Sequence, residues 1–434
     1  MKVYFQALGC RLNEAELETW IQQFSVKGHE LAAASDDAEL VIFNSCSVTA
    51  EADRKSRKLI NRIRRENPQS RLLVTGCYAS LQPETVKTQL GVDLVVANSQ
   101  KDQLVDLALK HFDIPIETAL DNNHALFSRG RHRAFIKVQD GCRYRCTFCI
   151  VTLARGDERS RSLQEIIDEI NVIHQSGIQE VVITGVHVGG YGSDIGSNLY
   201  ELLSAILDKT RVPRIRLASV EPWDLPDNFF DLFQNPRLMP HMHLPLQSGS
   251  DSVLRRMARR CKTAEFREIV DQARAAVPLF NITTDIIVGF PGETEEEWQQ
   301  TVEFVESIGF GHIHIFSYSR REGTKAAGLP GQIANNIKKE RSKVMHQLAS
   351  ELKRKELLRH VGNSTSVLWE QKSSGQKGLW SGYTPYYHRI YVSGSDVRPM
   401  DITDVKIESV LDNGSALIAK GMGTVVPNLN FAHD

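Results

Sequence analysis

Three cysteines lie in one short stretch in the middle of the chain, Gln139-Asp-Gly-Cys142-Arg-Tyr-Arg-Cys146-Thr-Phe-Cys149. Residues 134–138, just before it, have the alternating, β-branched character of a strand, so the cysteines lie on the loop that leaves this strand. Three thiolates at this spacing can ligate three irons of one iron–sulfur cluster; such a cluster normally has four cysteine ligands, so one iron would stay open. A zinc knuckle is the alternative, but structural zinc usually takes paired ligands from two separate arms.

A second set of cysteines lies in the first 112 residues, where predicted strands alternate with helices. This alternation indicates an α/β domain with a doubly wound parallel sheet. Cys10, Cys46 and Cys77 each follow a predicted strand by one to three residues, so we expect them at one edge of the sheet, where ligands bind in such folds. Packing does not easily explain three cysteines at equivalent positions, and we predict a second cluster site, again with one open iron.

The helix predicted after Cys46, residues 50–66, carries a run of basic side chains that includes Arg54, Lys55, Arg57 and Lys58. We expect only Asp53 and Glu66 to offset this run, so it could contact phosphates, although a solvated helix face explains it equally well. The whole chain has a net charge of −1, so any nucleic-acid surface has to be local.

Residues 134–360 repeat strand and helix about six times, which predicts an open, partial (β/α)6 barrel, since a closed barrel has eight units. Active sites of such barrels lie on the loops at the carboxyl ends of the strands. These loops carry Gly189, Gly190, Glu221 and Gln247. Glycines allow close approach of a nucleoside to the backbone, and Glu221 could hold an amino or hydroxyl group. We expect the histidines of this region to be structural rather than metal ligands: His187, His241 and His243.

The two cysteine sites together predict a reaction class. An open iron can chelate the amino and carboxylate groups of S-adenosylmethionine, and an electron from the cluster then breaks a sulfonium C–S bond to give a 5′-deoxyadenosyl radical. A second cluster with an open iron could hold a sulfide or a methylated sulfide. We therefore predict conversion of a C–H bond into a C–S bond, with Gly189, Gly190, Glu221 and Gln247 as contacts to S-adenosylmethionine.

The rest of the chain predicts a linker at residues 113–133 and a small antiparallel β-barrel at residues 361–434, where about five short strands follow one another. Tyr383, Tyr387 and Arg389 fall in one hairpin and could stack on unpaired bases, although some aromatic residues here must be core. No apolar run approaches the ~20 residues that span a bilayer, and most cysteines lie in loops of metal-binding character, so we expect a cytoplasmic protein.

Taken in order, these motifs resemble those of the radical S-adenosylmethionine methylthiotransferase family over nearly the whole chain. The matching elements are Gly9-Cys10-x-x-Asn13, Asn44-x-Cys46-x-Val48-Thr49, Gly76-Cys77, the Cys-x-x-x-Cys-x-x-Cys core, Arg155-Gly156, His243-Leu-Pro-Leu-Gln247, Asp285-Ile-Ile-Val-Gly-Phe-Pro-Gly-Glu293-Thr and Phe316-Ser-Tyr-Ser, followed by a domain that resembles a TRAM module.

The resemblance implies two [4Fe-4S] clusters. Cys142, Cys146 and Cys149 would bind the cluster that cleaves S-adenosylmethionine, while the auxiliary cluster on the N-terminal cysteines would carry the sulfur. One S-adenosylmethionine would methylate that sulfur and another would generate the radical. Cys261 matches no cysteine of the family and is interpreted as an incidental thiol.

The stretch Gly-Cys-Arg-Leu-Asn-Glu-Ala-Glu resembles the branch that adds a 2-methylthio group to N6-threonylcarbamoyladenosine at position 37, in the anticodon stem-loop of tRNA. The branch that modifies an aspartate of a ribosomal protein usually has Pro-Lys after its first cysteine, and the isopentenyladenosine branch has Gln-Met, where this chain has Arg11-Leu12. Both branches remain alternatives, as does a non-catalytic RNA-binding iron–sulfur protein. The resemblance also implies a reductant such as flavodoxin or ferredoxin, a sulfur donor, no membrane and a monomer.

Overall fold

The computed structural model describes residues 1–116, 132–372, 379–393 and 397–420. The strands of its first part are β1 (Lys2–Ala7), β2 (Glu30–Leu31), β3 (Leu40–Ser45), β4 (Arg71–Gly76) and β5 (Leu94–Val95). They form one parallel sheet in the order β2-β1-β3-β4-β5. The helices are α1 (Arg11–Val26), α2 (Ala50–Glu66), α3 (Cys77–Leu81) and α4 (Leu104–His111).

Helices cover both faces of this sheet. Trp20 of α1 and Leu104 of α4 share one buried cluster with Phe5, whereas Ile60 of α2 shares another with Phe43. The doubly wound sheet predicted here is therefore confirmed. The sequence prediction missed β2, which is only two residues long and lies at the edge of the sheet.

The central part begins at the first strand before the cysteine loop. Its strands are β6 (Ala134–Lys137), β7 (Gln139–Asp140), β8 (Arg159–Ser160), β9 (Glu180–Thr184), β10 (Arg214–Leu217), β11 (His241–His243), β12 (Asn281–Val288) and β13 (His312–Ser317). Its helices are α5 (Val151–Arg155), α6 (Leu163–Gln175), α7 (Leu199–Lys209), α8 (Asp251–Arg256), α9 (Thr263–Ala276), α10 (Glu295–Ile308) and α11 (Asn335–Leu358). Residues 117–131, most of the predicted linker, lie outside the described residues.

Six of these strands form the predicted partial barrel. Strands β6, β9 and β10 form one parallel sheet, and β11, β12 and β13 form another. Single parallel bridges between Ile215 and Leu238 and between Ser219 and His243 join the two halves. In the described part of the chain β6 and β13 are edge strands, so the barrel is open, and one large buried cluster packs its strands against its helices.

The last part is a closed five-stranded barrel. Its strands are β14 (Ser364–Lys372), β15 (Leu379–Tyr383), β16 (Arg389–Ser393), β17 (Ile402–Val410) and β18 (Leu417–Lys420), in the order β14-β15-β16-β18-β17. The predicted antiparallel barrel is confirmed, except that β16 and β18 pair in parallel. Trp369 and Leu417 are fully buried in its core. Among the described helices, none combines the length and the apolar character needed to cross a membrane.

Candidate functional site

Cys10, Cys46 and Cys77 lie at the carboxyl ends of β1, β3 and β4, three adjacent strands of one sheet. The backbone before Cys10 packs directly on Cys46: Gly9 has φ +109°, and a Cβ atom there would lie 2.6 Å from the Cys46 sulfur. Burial raises the pKa of Cys46 to about 11. The three cysteines thus converge at one edge of the sheet, and a metal cluster bound there would take their thiols in the ionised form.

The Cys142–Cys149 loop leaves β7 and is held on both sides. Gly141 has φ +71°, and any side chain there would overlap the carbonyl oxygen of Asp157. The amide of Cys142 donates to the Gly156 oxygen at 3.1 Å, and the amide of Cys149 donates to the Cys146 oxygen at 3.0 Å. Burial raises the pKa of Cys142 to about 12 and that of Cys149 to about 11.

Arg259 and Gln139 fix this loop to its surroundings. One guanidinium nitrogen of Arg259 lies 3.8 Å from the Cys146 sulfur. The guanidinium carbon of Arg259 lies 4.2 Å from the centre of the Trp223 ring. The amide side chain of Gln139 is buried; it donates to the Gly141 oxygen at 2.7 Å and accepts from the His187 amide at 2.8 Å. Gln139 therefore couples the cysteine loop to the loop after β9.

A buried ionic network joins the two cysteine sites. Arg155, at the end of α5, donates to Glu16 and Asp140 at 2.9 Å each and to the side-chain oxygen of Asn13 at 2.7 Å. Lys101 donates to the same Glu16 carboxylate at 2.5 Å. Glu16 and Asn13 lie on α1, which begins directly after Cys10, while Asp140 lies two residues before Cys142. The relative position of the two triads is thus set by charged hydrogen bonds.

The charges of this network fit an anionic neighbour. Burial opposes ionisation of Glu16, but Arg155, Lys101 and Lys137 outweigh it and hold the pKa of Glu16 well below its usual range. Asp140 is affected in the same way, and its pKa falls to about 2. At the centre of the network three cations thus face two carboxylates; Arg155 also lies close enough to Cys10 and Cys77, and Lys101 to Cys77, for their charges to interact with these thiols. This surplus of positive charge suits ionised thiolates at the N-terminal triad.

A second polar cluster surrounds His187, on the loop after β9. Its Nδ1 contacts Glu158, and its Nε2 lies 2.7 Å from Asp224 and 3.6 Å from Glu221. Burial opposes the charged ring, but Asp224, Glu221 and Glu158 outweigh it and raise the pKa of His187. The Cys142 sulfur lies within 4.8 Å of a carboxylate oxygen of Glu158 and of a ring nitrogen of His187. The sequence did not identify Glu158 or Asp224, because no pattern links residues so far apart.

The four residues predicted to contact S-adenosylmethionine all lie near this cluster or on the neighbouring strand ends. Gly189 and Gly190 are buried. A Cβ atom at Gly189 would lie 3.2 Å from the backbone carbonyl oxygen of Glu221, and one at Gly190 would overlap the His187 ring. Burial raises the pKa of Glu221, and one of its carboxylate oxygens is buried without a hydrogen-bond partner. Gln247 has φ +78°, an unusual value for a residue with a side chain, and pairs with β12.

The predicted RNA-binding side chains lie on two surfaces. On α2, Arg54, Lys55, Arg57 and Lys58 are exposed. Asp53 does not offset the basic side chains of this helix, because it forms a 2.7 Å ion pair with Arg321 of the central part. Glu51, which the sequence analysis overlooked, pairs instead with Arg54 at 2.7 Å.

In the C-terminal barrel, Tyr383 and Tyr387 stack with ring centroids 5.0 Å apart. Arg389 donates to the Tyr383 hydroxyl at 3.1 Å. Arg133 and Arg216 both lie over the Tyr387 ring, so part of this aromatic surface is used within the protein.

Cys261 lies apart from both triads, in the buried cluster of the central barrel. Its sulfur lies 3.4 Å from the Lys262 oxygen, and burial raises the pKa of the thiol to about 12. It contacts neither cysteine site in the described structure.

The family matches of this chain fall on its N-terminal and central parts separately. Residues 136–305 match the radical SAM superfamily, and residues 2–97 match the uncharacterized protein family UPF0004. The chain is 37% identical to the threonylcarbamoyladenosine tRNA methylthiotransferase MtaB of Thermotoga maritima over 95% of both chains, and 33% identical to that of Bacillus subtilis over 93% of both. It is 31% identical to the tRNA-2-methylthio-N(6)-dimethylallyladenosine synthase of Methylacidiphilum infernorum, over 90% of this chain and 88% of the other.

Among solved structures, the radical S-adenosylmethionine methyltransferase TsrM from Kitasatospora setae matches with a TM-score of 0.57 at 16% identity, over 75% of this chain and 76% of that one. At this identity the likeness concerns the fold, and it agrees with a sheet domain followed by a partial barrel.

Proposed function

The chain belongs to the radical S-adenosylmethionine methylthiotransferase family, and on that premise we propose that it adds a 2-methylthio group to N6-threonylcarbamoyladenosine at position 37 of tRNA. The observation that carries the substrate assignment is that relatives named for this nucleoside match at 33–37% identity over almost the whole chain. The relatives named for dimethylallyladenosine match at 30–31%, so isopentenyladenosine at position 37 is the second candidate.

We propose two [4Fe-4S] sites, on Cys142, Cys146 and Cys149 and on Cys10, Cys46 and Cys77. The convergence of Cys10, Cys46 and Cys77 at one sheet edge and the cationic Arg155 beside them support this assignment. When bound, the clusters and two molecules of S-adenosylmethionine supply the radical, the sulfur and the methyl group. The protein contributes the spacing between the two sites, which the Arg155 network sets.

Glu221 would hold the amino group of S-adenosylmethionine. Its carboxylate is buried, one oxygen has no partner, and it lies close enough to Cys142 to raise the pKa of that thiol. A bound ammonium would supply the missing charge-assisted hydrogen bond. His187, which Asp224 holds by a 2.7 Å contact, lies 3.6 Å from this carboxylate, and Gly189 and Gly190 allow the loops to pack closely enough for that arrangement.

The tRNA would lie on the exposed basic side chains of α2, where Arg57 and Lys58 can contact phosphates. The C-terminal barrel, with Tyr383, Tyr387 and Arg389, would contact the anticodon stem-loop. We further propose that the enzyme acts as a monomer and receives electrons from a flavodoxin- or ferredoxin-type protein and sulfur from a separate donor.

Nucleoside mass spectrometry of tRNA tests this proposal in a strain that lacks the gene and is complemented by variants. The wild type is expected to restore 2-methylthio-N6-threonylcarbamoyladenosine, whereas Cys46→Ala is expected to abolish it. Cys261→Ala, which removes a buried thiol outside both triads, is the matched control and should retain the product. Restoration of the isopentenyl derivative instead would favour the second candidate.

Iron analysis of the anaerobically reconstituted protein separates the sites. Two clusters predict about eight irons in the wild type and about four in Cys46→Ala, if the second cluster is lost. A wild-type protein that holds about four irons would contradict the two-cluster assignment.

A further inference from the structure

Three buried side chains far from the cysteine sites in the sequence converge on one point between the central barrel and the C-terminal barrel. Glu356 lies in the last turn of α11, and His360 follows it by four residues. His388 lies in the turn before β16. Their exposed fractions are 5%, 1% and 4%, so none of the three is solvated.

The donor atoms form a small triangle. The Glu356 Oε1 atom lies 3.2 Å from the His360 Nε2 atom and 3.7 Å from the His388 Nε2 atom. The two Nε2 atoms are 3.2 Å apart. One potential ligand atom from each of the three side chains thus lies close to the other two.

Hydrogen bonds alone do not account for this triangle. A ring nitrogen of histidine carries either one hydrogen or one lone pair, directed along a single line in the plane of the ring. The His360 Nε2 atom therefore cannot make a straight hydrogen bond to both of its close neighbours. If both imidazoles donate to the Glu356 Oε1 atom, their two N–H groups lie side by side, with the nitrogens 3.2 Å apart. Such an arrangement is costly for buried groups, whereas a cation at the centre would bond all three atoms at once.

From this geometry we propose that Glu356, His360 and His388 bind a zinc ion. A tetrahedral ion with bonds of about 2.0–2.1 Å holds its ligands about 3.3–3.4 Å apart, which is the average side of this triangle. An octahedral ion with similar bonds would bring neighbouring ligands to about 2.9 Å. The fourth ligand would be water.

The surroundings hold each ligand in place. Arg359 donates to the second oxygen of Glu356 at 2.6 Å, which leaves the first oxygen for the metal. The His388 amide donates to the Thr384 hydroxyl at 3.1 Å, and the Thr384 amide donates to the His388 oxygen at 3.0 Å. The Tyr386 ring packs against His360 with centroids 4.8 Å apart. These contacts fix the Glu356 carboxylate, the turn that carries His388 and the ring of His360.

The zinc would fasten the C-terminal barrel to the central barrel. Two ligands come from the end of α11, and the third comes from the turn at residues 384–388. The same turn accepts hydrogen bonds from Arg216, to Pro385 at 2.9 Å, and from Asn281, to Tyr386 at 2.7 Å. Loss of the ion should loosen the barrel without touching either cysteine triad. The inference is independent of the proposed function.

X-ray absorption at the zinc edge tests the site in the full chain, because it distinguishes zinc on nitrogen and oxygen, at about 2.0–2.1 Å, from zinc on cysteine sulfur, at about 2.3 Å. The protein is produced in zinc-supplemented medium and its clusters are reconstituted anaerobically. We expect about one zinc per chain with a nitrogen and oxygen shell. His388→Ala and Glu356→Gln should lose this zinc, whereas His346→Ala, an exposed histidine of the same helix, should keep it.

A second measurement covers the case in which the variants do not fold. Wild-type protein is treated with a chelator and titrated with Zn²⁺, and limited proteolysis follows the link between the two barrels. Rebinding of one equivalent and slower cleavage support the site. Failure of the wild type to bind zinc, or a zinc shell of sulfur that persists in His388→Ala, would overturn the proposal.

Discussion

Arg155 offers the sharpest test of how the two cysteine sites are held together. Its guanidinium side chain is 1% exposed and makes charged hydrogen bonds to Glu16 and Asp140. Arg155→Met would leave both carboxylates buried without their main partner. Breaking a buried ion pair by removing one partner typically costs about 3–5 kcal/mol, so we expect the free energy of unfolding to fall by that amount.

Arg145→Met is the matched control, because Arg145 lies in the same cysteine loop but pairs with Asp157 at the surface, with side chains 61% and 83% exposed. An exposed pair contributes about 0–1 kcal/mol. Chemical denaturation of the cluster-free proteins, followed by circular dichroism, measures both changes. An Arg155 variant no less stable than the Arg145 variant would refute the network as the link between the sites.

The pH dependence of stability provides a second test of the Arg155→Met variant. Burial raises the pKa of Asp140, but Arg155 and Lys137 outweigh it, and the resulting pKa is about 2. Because this lies below the value of ~3.9 in an unfolded chain, ionised Asp140 stabilises the fold above pH ~4, and its contribution is lost as the pH falls toward 2. Arg155→Met should therefore flatten the pH dependence of stability between about pH 5 and pH 2. Parallel curves for the wild type and the variant would contradict this cause.

Three further predictions concern the ligand sites. Gly190→Ala should weaken binding of S-adenosylmethionine at least about tenfold, since its Cβ would displace the His187 ring. Gly328→Ala, with open space around its Cβ, should not weaken it, and equilibrium binding measurements compare the two variants. Glu221→Gln should weaken the same binding by about 1.5–3 kcal/mol through loss of a charged hydrogen bond, and unchanged affinity would remove Glu221 from the site. The double variant Arg57→Glu, Lys58→Glu should weaken tRNA binding and lower its salt dependence, as a filter-binding series over salt concentration would show.

Local patterns predicted the positions of the cysteines well. Each cysteine of the N-terminal set follows a predicted strand, and parallel strands end at one edge of a sheet, so Cys10, Cys46 and Cys77 are expected on the same side. The partial barrel followed in the same way from six strand–helix repeats. These conclusions need only the order of elements along the chain.

The partners that hold the sites were not predictable, because they are distant in sequence and have no periodic signal. Glu16 and Arg155 are 139 residues apart, and each alone resembles an ordinary charged residue of a helix. Asp53 was expected to neutralise its own helix, but its carboxylate pairs with Arg321. The proposed zinc ligands were not predictable for the same reason. Glu356 and His360 are four residues apart, but His388 lies beside them only in the folded barrel.

The strand order of the C-terminal barrel has a consequence for the timing of synthesis. β18 lies between β16 and β17, in parallel with one and antiparallel to the other. Until residues 417–420 leave the ribosome, β16 and β17 keep unpaired edges that could join another chain. Both cysteine sites are synthesised long before that point. The barrel should thus be completed last during translation, so nascent chains paused before residue 417 are those most exposed to aggregation.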